Sequence, residues 1–114
     1  MTQRLCLALD LKDDPALIAE YCRLHEQIWP EIAASIRAAG ILDMQIWRTG
    51  NRLTMVMEIG DQFDGNAKRV ADAANPKVQE WERLMWRYQL PLPWADPGQK
   101  WVPMEKIFNL SDQA

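Results

Sequence analysis

The sequence predicts one α+β domain whose strands and helices follow the order β-α-β-β-α-β. A length of 114 residues leaves room for a single domain, covering residues 1–114, and for no second one. Hydrophobic residues make up 48% of the chain and charged residues 25%, which is typical of a globular protein with a core. Two period-two stretches joined by a short turn lie in mid-chain, and stretches with helical spacing flank them.

The first element is a strand over Gln3–Lys12, because apolar side chains alternate with smaller or polar ones. The alternating residues are Leu5, Leu7, Leu9 and Leu11. A helix then begins with Asp14 as N-cap and Pro15 at its first position.

This helix is expected to run to Ala39, where Gly40 can adopt the left-handed conformation that ends a helix. Pro30 lies inside this span and cannot donate a backbone hydrogen bond, so a kink or break is expected near Gln27–Trp29. The apolar stripe has helical spacing and consists of Leu17, Tyr21, Leu24, Ile28, Ile32 and Ile36.

A β-hairpin follows, with strands over Ile41–Thr49 and Arg52–Gly60. Gly50 and Asn51 form a two-residue turn between them, because both residue types tolerate positive φ. In the first strand, one face is predicted to carry Leu42, Met44 and Ile46.

The C-terminal half predicts a second helical region and a last strand. Residues 61–88 are mostly helical, with a break and restart at Asn75 and Pro76. Leu90–Lys100 is a proline-rich loop, and Trp101–Leu110 is the last strand, in which Pro103 must lie at the start, at a bulge or on an edge.

This order of elements is the ferredoxin-like arrangement, an antiparallel sheet with helices on one face. The other sheet face then carries large apolar residues with no layer over them. The simplest way to cover them is a two-fold homodimer, which we expect.

Charge and composition exclude several classes of protein. The net charge is −3 and no basic stripe is visible, so nucleic acid is not an expected partner. No apolar run approaches the roughly 20 residues of a membrane span, and no signal peptide is expected. Cys6 and Cys22 cannot build a disulfide framework, which favours a reducing, cytoplasmic location.

The candidate site is the first helix, where Tyr21, His25 and Trp29 are spaced by four and form a ridge at the border of the apolar stripe. A half-buried histidine there titrates near neutrality and suits proton transfer. A lone histidine on an amphipathic helix is, however, more often structural. One histidine and two distant cysteines leave a metal site without ligands.

Three carboxylates, Asp43, Glu58 and Glu105, fall in predicted strands and are candidates to enter a cleft. Carboxylates on strands more often face solvent. They therefore stand as open candidates for a second proton carrier, beside a bound water.

The run from Tyr21 to Glu31 resembles the L-rhamnose mutarotase family. It reads Tyr-x-x-x-His-x-x-Ile-Trp-Pro-Glu, and a proline inside a helix makes it fairly specific. The resemblance extends over Leu5 to Leu110, with softer matches at Met57–Ile59, Trp81 and Glu105–Phe108.

The resemblance implies a dimeric ferredoxin-like α/β-barrel without metal or organic cofactor, which interconverts the α and β anomers of a 6-deoxy sugar. It implies that His25 is the proton donor and that Tyr21 and Trp81 contact the sugar. The family's second tryptophan is Glu82 here, and a family tyrosine aligns with Met44.

These two departures remove sugar-contacting aromatic rings and suggest a different sugar. Residues Leu9–Pro15 and Ile41–Met44 resemble L-fucose mutarotase-like members of the group. L-fucose is therefore favoured over L-rhamnose, with Trp81 and Trp29 stacking on the methyl-bearing face.

The predicted reaction is ring opening and closure by general acid/base catalysis, with His25 as the principal acid and base. Two alternatives stay open. One is a cofactor-free monooxygenase on the same dimeric fold, and the other is a non-catalytic sugar-binding module.

Overall fold

The structure, a computed structural model, describes residues 2–114. Its elements in chain order are β1 (Gln3–Leu11), α1 (Pro15–Leu24), α2 (Pro30–Ala38), β2 (Ile41–Thr49), β3 (Arg52–Ile59), α3 (Gly65–Ala74), α4 (Pro76–Met85), β4 (Gln89–Leu90) and β5 (Val102–Pro103). A single 3-10 turn at Leu110–Asp112 follows.

The strands form one antiparallel sheet in the order β2-β3-β1-β4, with β5 also paired to β1. The central pair is β1 with β3, in register from Gln3 opposite Ile59 to Asp10 opposite Arg52. The sequence prediction of an α+β, ferredoxin-like domain is confirmed.

The predicted hairpin is present, with Thr49 paired to Arg52 across a two-residue turn. Gly50 has a φ of 55°, the left-handed conformation that favours glycine. The Asn51 side chain donates to the carbonyl of Leu11 at 3.0 Å, and the amide of Leu11 donates to the carbonyl of Asn51 at 2.6 Å. The turn is therefore fixed to the end of β1.

The prediction that Leu42 shares the core face of β2 with Met44 and Ile46 is wrong. A β-bulge between Ile41 and Asp43 shifts the register, so that Ile41 is buried and Leu42 is 59% exposed. A single extra residue in a strand reverses the facing of its neighbours, and nothing in the alternation of the sequence marked this one.

The expected break near Gln27–Trp29 is confirmed, because α1 ends at Leu24 and α2 begins at Pro30. The span to Ala39 is thus two helices. Gly40 ends the second with a φ of 92°, and a Cβ atom there would lie 3.0 Å from the backbone nitrogen of Phe63. Only glycine fits this junction without displacing the next loop.

Side-chain caps fix the starts of three helices. Asp14 accepts hydrogen bonds from the amides of Ala16 and Leu17, and Asp64 caps α3 in the same way. Asn75 ends α3 and caps α4, so the predicted restart at Asn75 and Pro76 is confirmed.

The predicted last strand over Trp101–Leu110 is wrong in extent, since only Val102 and Pro103 pair with β1. The amide of Met104 still donates to the carbonyl of Cys6 at 2.8 Å, and then the chain leaves the sheet. Pro103 has no amide hydrogen to donate to the ladder, which limits pairing at this edge.

The helices pack on the sheet face that carries Leu7, Met55 and Met57, and the core lies between these two layers. The opposite face leaves Cys6 and Val56 half-buried and Trp47 64% exposed. Within residues 2–114, no helix has the length and apolar character needed to cross a membrane.

Candidate active site

A cavity of about 270 Å³ lies between the sheet and the helices. Its sheet wall is formed by Leu7, Met44, Ile46, Met55 and Met57. The opposite wall is formed by Ile28, between α1 and α2, and by the helix residues Tyr21, Ile32, Val78, Trp81 and Met85. Ligand sites are commonly apolar concavities that hold a few placed polar groups. This cavity therefore qualifies as a small-ligand site.

His25 reaches this cavity from the end of α1, where it is the C-cap residue rather than a mid-helix residue. Its Nδ1 lies 2.8 Å from the backbone carbonyl oxygen of Tyr21. A carbonyl can only accept, so Nδ1 carries the hydrogen. In the neutral ring Nε2 is then left with a free lone pair, which is the form a general base needs.

Burial lowers the pKa of His25 from its ordinary value of 6.5, and the hydrogen bond to the Tyr21 carbonyl opposes this shift more weakly. The lowered pKa favours the neutral imidazole near neutral pH. The resting ring is therefore a base, and it becomes an acid only after it has taken a proton.

Three aromatic side chains, Tyr21, Trp81 and Trp29, form one continuous group with this histidine. The imidazole lies 4.1 Å from the Tyr21 ring and 5.6 Å from the Trp81 ring, measured between centroids. Trp29 meets Trp81 edge-on at 5.0 Å. The expected break separates these residues, because His25 follows the end of α1 and Trp29 precedes the start of α2, yet the side chains converge across the break.

The phenol of Tyr21 is buried, and this raises its pKa to about 12. It keeps its proton near neutral pH and acts as a hydrogen-bond group. The side-chain nitrogen of Gln89 donates to the Tyr21 hydroxyl oxygen at 3.4 Å. The hydroxyl hydrogen is thus free to point at a ligand.

The charged side chains at the cavity are paired with one another. Lys68 pairs with Asp72 on α3, and Lys100 pairs with Glu82 on α4. The Lys100 ammonium group also lies 4.7 Å from the centroid of the Trp86 ring. These pairs close one side of the cavity and tie the loop before β5 to α4.

Five of the six predicted site residues line the cavity: Tyr21, His25, Met44, Trp81 and Glu82. Trp29 lies behind Trp81 instead. Among the strand carboxylates, Asp43 borders a separate groove that His25 also reaches, whereas Glu58 and Glu105 do not line the cavity.

The sequence reasoning missed Gln89, Lys100 and the pair of Lys68 with Asp72. The i,i+4 spacing of that pair was a readable signal for a helical ion pair, but not for its place at a cavity. Gln89 had no such signal, because the two-residue strand that holds it pairs with the distant β1. Among residues 2–114, no cluster of three or more His, Cys, Asp or Glu side chains could hold a metal ion.

The sequence profile described as L-rhamnose mutarotase matches residues 4–110, which is nearly the whole chain. The chain belongs to the L-rhamnose mutarotase family. Its members are isomerases that act on the anomeric centre of a sugar, and so is this protein.

Individual mutarotases bear out this membership. An L-fucose mutarotase of Xanthomonas campestris pv. campestris is 50% identical over 112 residues, covering 96% of this chain and 90% of that protein. An L-rhamnose mutarotase of Burkholderia orbicola is 31% identical over 103 residues, covering 90% of this chain and 91% of that protein.

The fold of this mutarotase is shared with a solved structure. The crystal structure of an L-rhamnose mutarotase from Formosa agariphila superposes with a TM-score of 0.70 at 22% identity, over 95% of this chain and 98% of that one. The superposition establishes the common fold.

Proposed function

We propose that this mutarotase interconverts the α and β anomers of a 6-deoxy-L-hexose, with L-fucose preferred over L-rhamnose, by general acid/base ring opening. The observation that carries the proposal is the hydrogen bond of His25 Nδ1 to the Tyr21 carbonyl. It leaves Nε2 as a free base beside an apolar cavity with an aromatic wall.

In the proposed reaction, Nε2 of His25 takes the proton of the anomeric hydroxyl. The bond between the anomeric carbon and the ring oxygen breaks, the ring oxygen gains a proton, and an aldehyde forms. The aldehyde group then rotates. The two proton transfers run in reverse while the ring oxygen attacks the opposite face of the aldehyde, and this gives the other anomer. Positioned acid and base groups each contribute about 10²–10⁴ in rate, so a few side chains suffice.

The cavity walls suit the apolar parts of such a sugar. Trp81 offers a flat ring next to His25, and Met44, Met55 and Met57 line the sheet side. A 6-deoxy sugar carries a methyl group and an apolar ring face, which pack against such surfaces. We place the sugar between the sheet methionines and Trp81, with Tyr21 bonded to a ring or anomeric oxygen.

The preference for L-fucose is supported by the relatives. The L-fucose mutarotase is 50% identical to this chain, against 31% for the L-rhamnose mutarotase of similar coverage. Met44 and Glu82, which stand where the sequence analysis expected family aromatic residues, both line the cavity. The two departures from the aromatic residues that the resemblance implies for the family thus lie at the cavity wall, which supports a different sugar preference.

The proton gained by the ring oxygen comes from a second group in the same cavity. Besides His25 and Tyr21, the titratable side chains there are the paired Lys68 and Asp72 and the paired Lys100 and Glu82. Asp43 does not line this cavity, but it lines the neighbouring groove that His25 also borders. We infer that the ion pair of Glu82 with Lys100, which lines the cavity, supplies this proton.

We also propose that the protein is a homodimer and acts in the cytoplasm. Three apolar residues after β5, namely Ile107, Phe108 and Leu110, are between 64% and 90% exposed, and a second copy would cover them. Cys6 and Cys22 are both free thiols, as is usual in a reducing compartment.

The deciding experiment is anomer-exchange NMR on L-fucose and L-rhamnose in parallel, with and without protein. We expect faster exchange with both sugars or with L-fucose alone, and a higher kcat/KM for L-fucose. A higher kcat/KM for L-rhamnose would overturn the preference. Exchange at the spontaneous rate with folded protein would overturn the proposed activity, and sugar binding without exchange would favour a binding module.

A further inference from the structure

Gln89 is a buried polar side chain of which only the nitrogen has a hydrogen-bond partner among residues 2–114. It is 3% exposed and lines the same cavity as His25 and Tyr21. Its Nε2 donates to the Tyr21 hydroxyl at 3.4 Å, and within residues 2–114 its Oε1 has no hydrogen-bond partner. A buried acceptor left unpaired is destabilising, so such groups in native proteins usually have a functional reason.

The unpaired atom does not depend on how the amide is oriented. If the two terminal atoms were exchanged, the oxygen would accept from the Tyr21 hydroxyl, and the nitrogen would take the unpaired position. In either orientation one amide atom of Gln89 lies unpaired beside the Tyr21 hydroxyl. The Gln89 amide and the Tyr21 hydroxyl thus offer one acceptor and one donor side by side. A sugar hydroxyl can donate to the one and accept from the other.

The backbone holds Gln89 firmly in place. Gln89 is the strand partner of Leu11 in the pairing of β4 with β1. Next to it, the backbone carbonyl of Tyr88 accepts a hydrogen bond from the backbone amide of Lys12 at 2.8 Å. The charged side chains of the cavity are already paired with one another. Gln89 is therefore a preorganised neutral group, and such groups confer specificity when they meet a substrate hydroxyl.

The position of Gln89 relative to His25 indicates which part of a sugar it can contact. The Tyr21 ring packs against the imidazole at 4.1 Å and reaches Gln89 with its hydroxyl. A sugar whose anomeric carbon lies at His25 thus presents one of its other ring hydroxyls to the amide. L-fucose and L-rhamnose differ in the orientation of the hydroxyls on the second and fourth carbons, which are of this kind.

We infer that Gln89 is a specificity-determining residue, whose amide hydrogen-bonds one non-anomeric ring hydroxyl of the sugar next to the Tyr21 hydroxyl. This inference rests on the proposed function. It assigns to Gln89 the discrimination between 6-deoxyhexoses that differ at that hydroxyl. His25 and Tyr21 serve the anomeric centre and are common to all of them.

The test compares Gln89→Met with the wild type and with Gln62→Met, an exposed glutamine that serves as matched control. Methionine keeps the length of the side chain and removes both polar atoms. Anomer-exchange NMR gives kcat/KM for L-fucose and for its analogues that lack the hydroxyl at the second, third or fourth carbon. Thermal denaturation of each variant reports on the fold.

We expect Gln89→Met to lower kcat/KM for L-fucose about 10–100-fold, and Gln62→Met to leave it unchanged. For one of the three deoxy analogues the wild type and Gln89→Met should differ by less than about threefold, because the bonded hydroxyl is absent. The melting temperature of Gln89→Met should stay the same or rise, since an unpaired buried acceptor has been removed.

An equal loss on L-fucose and on all three analogues would overturn the inference, because it would show that Gln89 acts through Tyr21 or through the fold. So would an unchanged kcat/KM. If the wild type accelerated exchange of no sugar, the proposed function would fail first and this inference with it. If the wild type is active and Gln89→Met leaves its sugar preference unchanged, the inference fails while the proposed function stands.

Discussion

The region from β1 to β4 and the C-terminal segment, residues 104–114, use their apolar residues in opposite ways. In the first region Leu9, Leu11 and Leu53 are at most 1% exposed, and the backbone is paired along full-length strands. In the C-terminal segment Ile107 is 90% exposed and Phe108 is 64% exposed, and the only regular element is a 3-10 turn. The first region contains the buried core, although Trp47 and Val70 on its surface are exposed, whereas the C-terminal segment presents its apolar residues to solvent.

This difference separates the site from its surroundings. Tyr21, His25, Trp81 and Gln89 all belong to the first region and contact one another there. Solvent-exposed isoleucine and phenylalanine side chains would each gain about 1.5–3 kcal/mol from burial. The cavity therefore lies in the first region, whereas the exposed apolar residues of the C-terminal segment suit it to association.

The largest expected effect is the loss of activity in His25→Ala. The variant removes the only imidazole in the chain, and with it the Nε2 that we propose as the base. We expect kcat for anomer exchange to fall about 10²–10⁴-fold, as for removal of a general acid/base group. Circular dichroism should show an unchanged fold, since His25 is only half-buried.

The matched control is Glu26→Ala, the exposed neighbour of His25, which should keep wild-type activity. Full activity in His25→Ala would contradict the assignment of the base. It would move that role to Glu82 or to Asp72, the carboxylates that share the cavity.

A smaller effect is expected on association, from the double variant Ile107→Ser with Phe108→Ser. If these side chains are buried between two copies, their loss weakens the dimer by at least about 100-fold in dissociation constant. Sedimentation velocity should then show a shift from the dimer toward a 13.2 kDa monomer. Activity should change less than association does, because neither residue lines the cavity.

Val70→Ser is the control for this experiment, because Val70 on α3 is 70% exposed and apolar as well. It should leave the association state as it is in the wild type. A wild-type protein that sediments as a monomer at micromolar concentration would refute the homodimer. A dimer that survives the double variant would move the interface to the sheet face with Trp47.

Local features and long-range contacts also differ in what the sequence could reveal about them. The hairpin, the break before Pro30 and the caps at Asp14 and Asn75 follow from local chemistry, and the structure confirms each of them. Turns and caps are decided by a few neighbouring residues, which is why a single sequence is enough to find them.

The features that the sequence did not reveal depend on contacts between distant segments. The strand predicted over Trp101–Leu110 has the right composition, but its pairing depends on which edge of β1 is free. The exposure of Leu42 follows from a bulge against β3, and the burial of Gln89 follows from its pairing with Leu11. The hydrophobic pattern of a single sequence does not show which distant segments pair with one another.

The smallest expected effect is a displacement of the pH profile, which probes the burial of His25 itself. Burial lowers the pKa of His25 below its ordinary value of 6.5, so the base form persists to lower pH than in an exposed histidine. The acid limb of kcat/KM should therefore have its midpoint below 6.5, with activity constant above it and falling about tenfold per pH unit below it. Because the unfolded chain binds this proton more readily than the folded one, stability should also decrease as pH falls below 6.5.

The measurement is anomer exchange from pH 5 to 8, with the spontaneous rate subtracted at each pH. A midpoint above 6.5 would mean that a neighbouring carboxylate, and not burial, controls the histidine. The site would then depend on Glu82 or Asp72 more than on the packing that the first region provides.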